Sequence, residues 1–324
     1  MTATPTAAPS TSAALTADRP GTDEDYKVPV LQDDPREADL MPEELDFLFD
    51  VRGYRILRNA LSSEQLAAIN GYIDRSNWQD LEPGTWLGDV ETHTYGSKDG
   101  INFQNIIEGG DVFEQCIDHP AWVDQVTRYM PEEDGMTLHI DENFINVRAA
   151  GGFIPVHSGG SLIRFTSTFR NHAGKWMVGQ INVLMALQDI GYGDGCTTII
   201  PGSHKSVTKH PVDAPDDEGK MGWQRGITGA DTIGMVQAHL KAGDALMFTD
   251  AIMHGSMPRT NPGYRRVMIY RYSPHLMAPR FNYIPSDELL ARVTPRQRKM
   301  IQPQPPRMRP GRTFSFTPDG GPVG

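Results

Sequence analysis

Residues 243–274 read GDALMFTDAIMHGSMPRTNPGYRRVMIYRYSP. Two apolar runs, 244–248 and 265–272, are separated by an NPG turn at 261–263, the signature of neighbouring strands. His254 stands between them, where the strand pattern meets a glycine, with Ser256 two residues on and Arg265 eleven residues on. An arginine there could lay its planar fork on a carboxylate, a task for which lysine is a poor substitute. Strand alternation sends the next residue, Arg266, to the opposite face.

Upstream, strand-like runs recur at 136–148, 176–190 and 196–200, divided by Gly151-Gly152, GYGDG at 191–195 and PGSH at 201–204. Many short strands between Gly/Pro turns predict a mainly β fold, a sandwich or barrel. Before them, GYRILRNALSSEQLAAINGYID (53–74) predicts a short strand and then a helix. Ser62 and Gln65 have capping-box spacing, and Leu66, Ile69 and Ile73 recur at helical intervals. Helices over 45–130 are therefore expected to pack on the β domain. Residues 1–44 are rich in Ala, Thr, Pro and Ser and then acidic, and 301–324 are rich in Pro and Gly. Both are expected to be disordered tails around one domain at 45–300.

The 324 residues carry 30 Lys and Arg against 41 Asp and Glu, a net charge of −11. That balance argues against a nucleic-acid polymer or an anionic membrane as partner. Only Cys116 and Cys196 are present, so neither a disulfide scaffold nor a zinc finger is indicated, and a reducing cytoplasm is the expected compartment. The apolar run at 183–187 is far short of the roughly 20 residues a membrane span needs. Residues 1–18 lack the basic start and apolar run of a secretory signal.

A second histidine, His157 in PVHSGG, lies 97 residues before His254 and likewise meets a glycine. With GYRILRNALSSEQL, ALQDIGYGDGCTTIIPGSHKS (186–206) and the closing HGS…N…GYRR, residues 50–275 resemble the phytanoyl-CoA dioxygenase-like family. Its members are non-haem Fe(II)/2-oxoglutarate-dependent oxygenases. The resemblance implies a double-stranded β-helix, jelly-roll or cupin-like, using Fe(II), 2-oxoglutarate and O2. It implies His157 and His254 as iron ligands, and Arg265 with Ser256 as the anchor of the cosubstrate's distal carboxylate. His204 is a family landmark in a tight loop rather than a ligand.

One departure is chemically important. The family completes its iron site with His-x-Asp or His-x-Glu, but here Ser158 is followed by Gly159. The pattern resembles iron/2-oxoglutarate halogenases, in which glycine or alanine at this place leaves a position open for chloride or bromide. Halogenation of a small metabolite in specialised metabolism is the leading expectation. Alternatively, water or a carboxylate of LHIDENF fills the position and the outcome is hydroxylation or another oxidation. Alternation sets His139, Asp141 and Asn143 on one face, with Glu142 on the other. A non-enzymatic β-sandwich binding module is the third reading. Arg164, Arg170, His172 and Lys175 form a cationic run in an acidic chain, suggesting an anionic substrate: phosphorylated, nucleotide, or CoA- or carrier-linked.

Overall fold

The computed structural model describes residues 21–32, 34–96, 98–130, 138–160, 165–275 and 283–302. Its frame is an eight-stranded antiparallel sheet in the order β1-β11-β8-β13-β5-β4-β3-β2. These strands are β1 (Tyr54–Leu57), β2 (Trp86–Leu87), β3 (Val90–His93), β4 (Ile101–Gln104), β5 (Leu138–Ala149), β8 (Ile181–Ala186), β11 (Ala245–Thr249) and β13 (Tyr264–Pro274). A three-stranded sheet faces it, ordered β10-β9-β12: β9 (Thr197–Ile199), β10 (Val236–Gln237) and β12 (His254–Ser256). Between the sheets lies an inner core of Val156, Leu184, Ile199, Leu246, Phe248, Met253 and Val267. The fold is the expected jelly roll.

Period-two alternation sorts each long strand between this inner core and an outer one. On β13, Val267 enters the inner core, while Met268, Tyr270 and Tyr272 join the outer one. Helices cover that outer face: α1 (Pro42–Arg52), α2 (Ser63–Arg75), α3 (Asp111–Glu114), α4 (Val123–Tyr129), α5 (Asp287–Arg292) and α6 (Pro295–Ile301). Ile69 and Ile73 of α2 are fully buried there, each burial contributing about 1.5–3 kcal/mol. The expected capping box forms, with Gln65 N donating to Ser62 Oγ and Ser62 N to Gln65 Oε1.

Three differences from the sequence reading have physical causes. Residues 86–104, expected to be helical, add β2 to β4 to the large sheet. The run 176–190 splits, because β7 (Lys175–Val178) pairs with β6 (Phe169–His172) in a separate hairpin rather than with the large sheet. Part of the expected N-terminal tail is built into the fold. Gln237 of β10 binds the backbone of Asp25 and Val28 through its side chain, and its main chain pairs with Pro29 and Leu31. Val28 enters the inner core and Tyr26 stacks on Tyr192. This segment covers an otherwise open sheet edge, and its few apolar residues were masked by the polar composition around them. Residues 1–20 and 303–324 lie outside the described residues.

His204 is buried and binds the Asp50 carbonyl through Nε2, tying the loop after β9 to the end of α1. Gly53 ends that helix at φ +80°, and a Cβ there would stand 2.5 Å from His204 Nδ1. Gly53→Ala is therefore expected to cost about 1–3 kcal/mol through left-handed strain and overpacking. Urea unfolding measures it, and an unchanged midpoint would contradict this packing.

Candidate active site

The chain brings its two singled-out histidines together. His157 and His254 form an antiparallel bridge beside the small sheet, with N–H···O distances of 2.8 and 3.0 Å in the two directions. Their rings lie 4.1 Å apart. Each Nδ1 is 2.8 Å from the carbonyl two residues before it, Pro155 for His157 and Ile252 for His254. Donation to those carbonyls holds Nδ1 protonated and leaves the Nε2 lone pair available, the arrangement of a metal-ligating imidazole pair. Burial, then the neighbouring His254, pushes the His157 pKa well below the usual imidazole range, which favours its neutral, lone-pair-bearing form.

Gly159 supplies no carboxylate, and its backbone is not that of a residue merely trimmed. It sits at φ +120° after Ser158 at φ +67°, conformations that strain an L side chain. A Cβ at Gly159 would meet only Met253, at 3.5 Å. Beside it opens a cavity of about 410 Å³, bordered by Gly160, Ser203, Lys209, His210 and Met253.

The acids proposed to stand in are each bound by other side chains. Glu142 is bound by Arg271 at 2.6 Å, by the Tyr95 hydroxyl and by Gln104, so it is committed to an ion pair. Asp141 accepts from Gln180 Nε2 at 2.7 Å. Among the described residues no group of three or more His, Cys, Asp and Glu is set to hold a metal. Asp250, overlooked in the sequence, is the carboxylate whose charge bears on His157. It is buried at the end of β11, where Asn182 Nδ2 donates to it at 3.3 Å. Its signal was an acid closing an apolar strand four residues before His254.

Deeper in the barrel, Arg265 is buried at 2% exposure and donates through Nη2 to Thr197 Oγ1 at 3.0 Å, while its Nε has no partner. The register sets Arg148 directly opposite, also at 2% exposure, and sequence reading missed it because it falls at the end of a strand run. Burial and then the charge of Arg265 push the Arg148 pKa well down, and burial pushes Arg265 down to about 10. Arg148 Nη1 and the Ile154 amide both donate to Ser256 Oγ. Both acceptor positions of that hydroxyl are therefore used, and its proton is left to give. No carboxylate forms a salt bridge with either guanidinium among the described residues. The charge of Asp99 bears on Arg148 and that of Asp194 on Arg265, without a salt bridge to either. Arg266 points outward to Asn70 and Asp74, as alternation requires.

The expected substrate cations are not in this barrel. Arg170 and Lys175 are exposed on the β6–β7 hairpin, which packs through Phe169 and Trp176 against Phe49 and Tyr129 in the outer core. Arg164 lies outside the described residues.

Residues 49–267 match the sequence pattern of the phytanoyl-CoA dioxygenase family (PhyH). The chain belongs to this family and is an enzyme of the Fe(II)/2-oxoglutarate-dependent oxygenase superfamily. It is 24% identical over 259 residues to a probable phytanoyl-CoA dioxygenase of Caenorhabditis elegans, covering 74% of this chain and 77% of the relative. It is 29% identical over 122 residues to the dioxygenase cdmD of Talaromyces verruculosus, covering 37% and 35%. Among solved structures it is similar to HygX of Streptomyces hygroscopicus with nickel and 2-oxoglutarate bound: TM-score 0.58, 19% identity, 77% of this chain and 94% of that one. The epimerase SnoN, in complex with Fe3+, α-ketoglutarate and nogalamycin RO, matches with TM-score 0.51 and 18% identity over 90% and 97%. No helix among the described residues is long and apolar enough to cross a membrane.

Burial lowers the pKa of His139, His157 and His204 alike. The unfolded chain then takes up protons first on acidification, so stability is full above about pH 6.5 and falls as pH drops toward the folded values. Urea midpoints for the metal-free protein should be lower at about pH 5.5 than at about pH 7.5. Equal midpoints would show these rings to be solvated.

Proposed function

We propose that this enzyme binds Fe(II) through His157 and His254 and 2-oxoglutarate through Arg265, Arg148 and Ser256, and oxidises a C–H bond of a small molecule with O2. The observation that carries this reading is the buried arginine pair, which forms no salt bridge among the described residues and through Arg148 meets Ser256, two residues along β12 from His254. Ser256 lies two residues along β12 from His254, about 7 Å of strand rise, a span that a five-carbon diacid bridges. Iron with the keto acid and O2 supplies the oxidising power.

The chain's own residues bind and orient. Arg265 offers its free Nε, Ser256 its hydroxyl proton and Arg148 a second guanidinium to the distal carboxylate, three charge-assisted contacts in a site away from water. His157 and His254, locked by their Nδ1 bonds, present two nitrogens at the other end. Thr197 steadies Arg265 from β9.

Oxygen transfer is the outcome we favour, because Asp250 keeps a carboxylate's charge near His157 and disfavours a second anion there. Halogenation is the second reading, and the observation for it is that Gly159 brings no carboxylate and borders a cavity of about 410 Å³. Asp141 as a direct ligand is less well supported, given its bond to Gln180.

Arg265→Ala and Arg148→Met should each raise the 2-oxoglutarate requirement by about tenfold or more with little change in metal affinity. Calorimetry with each ligand separates the two, and equal loss of both would count against the assignment. Turnover with and without chloride or bromide, read by mass spectrometry, should give products that gain oxygen only. A halogenated product would establish the second reading instead.

A further inference from the structure

The inner face of the large sheet carries a band of buried amides that this chemistry does not use. Asn102 of β4 lies opposite Asn146 of β5, and Arg271 of β13 lies opposite both Glu142 and Asn182. Gln104, two residues along β4 from Asn102, reaches Glu142. Exposure is 1% for Asn102, 2% for Gln104, 3% for Asn146, 1% for Asn182 and 0% for Gln180. Their strand neighbours Phe103, Ile145 and Val183 fill the outer core, so alternation turns the amides inward.

Four carbonyl oxygens of this band have no hydrogen-bond partner: Gln104 Oε1, Asn146 Oδ1, Gln180 Oε1 and Asn182 Oδ1. Two donors share that condition, Asn102 Nδ2 and Arg271 Nε. Buried polar atoms are ordinarily satisfied, and a band of them on one inner face marks where a ligand completes them. The imbalance toward acceptors calls for a ligand that brings donors. Hydroxyl groups suit it well, since each gives one proton and can accept from the remaining donors. An alkyl chain would leave the whole band unpaired. A phosphate or carboxylate would bring acceptors to a wall already rich in them, and Arg271 is engaged by Glu142 at 2.6 Å.

Resting on the reading of this site as an Fe(II)/2-oxoglutarate centre, we propose that its substrate is a hydroxyl-rich small molecule, neutral or amine-bearing, of the polyol, sugar or aminocyclitol class. The substrate's hydroxyls or amines donate to Gln104, Asn146, Gln180 and Asn182, which hold it across the barrel mouth from the histidine pair. This replaces the anionic substrate suggested by the exposed cations.

The test is saturation-transfer NMR on the full chain with 2-oxoglutarate, using methyl glucoside, glucosamine and 2-deoxystreptamine against glucose 6-phosphate and an octanoyl thioester. In parallel, 2-oxoglutarate turnover by the iron-loaded enzyme is measured with the same panel. The sugars and the aminocyclitol should bind and stimulate turnover, while the phosphate and the thioester should do neither. Gln104→Met and Asn146→Leu, nearly constant in volume, should each weaken sugar binding about tenfold with 2-oxoglutarate binding retained. Preferential binding of the phosphate or the thioester overturns the proposal, as does sugar binding that both variants leave intact. The wild-type panel decides by itself if a variant does not fold. Retained 2-oxoglutarate binding with no response to any polyol sinks this inference alone, whereas failure to bind 2-oxoglutarate or metal sinks the reading beneath it.

Discussion

Tyr264 to Pro274 on β13 run opposite Ala149 to Leu138 on β5, and this register sets the face of the two buried arginines, Arg265 and Arg148. With a side-chain period of two, a slip of β13 by one residue would send Arg265 into the outer core and bring Arg266 inward beside Arg148. Slippage is opposed on the outer side, where Met268, Tyr270, Tyr272, Ile145 and Val147 are packed under the helices. The pairing also contains an irregularity between Arg271 and Tyr272, where Asp141 is the extra residue between Ile140 and Glu142. Such a bulge re-aims side chains at the mouth of a barrel. Here it lets Glu142 meet Arg271 while Asp141 turns to Gln180.

The two cores perform different work. The outer one is apolar, well covered by helices, and contributes the larger share of burial. The inner one combines apolar residues from both sheets, such as Leu184, Leu246, Val267, Val156 and Met253, with buried arginines, amides and acids. An unpaired buried guanidinium or amide costs about 1–3 kcal/mol or more, so such a lining is tolerable only where packing elsewhere supplies a margin. The polar inner wall is a stability deficit concentrated at the binding site, and ligands that complete it strengthen the fold by mass action.

Gly159 belongs to the same economy of space. Its backbone occupies a region that glycine reaches without strain, and Gly160 beside it is packed against the His204 carbonyl, so this loop has little freedom to rebuild around a carboxylate. The absence of a carboxylate at position 159 thus goes with the loop conformation and not with one side chain alone.

The sequence by itself determined the β class, the strand around His254, the capping box at Ser62 and the inward direction of Arg265. These follow from local rules of periodicity, turn chemistry and capping, which act over a few residues. Family resemblance added His157 as the partner of His254. Only tertiary structure decided that Arg148 faces Arg265, that Asp250 lies near His157, that Gln237 captures residues 25–31, and that Arg170 and Lys175 stand on the outer side. Each of these depends on pairings between segments far apart in the chain, Arg148 with Arg265 across 117 positions by their numbering. Composition cannot register such pairings, because burial and charge partners are properties of the assembled sheets rather than of any window of sequence.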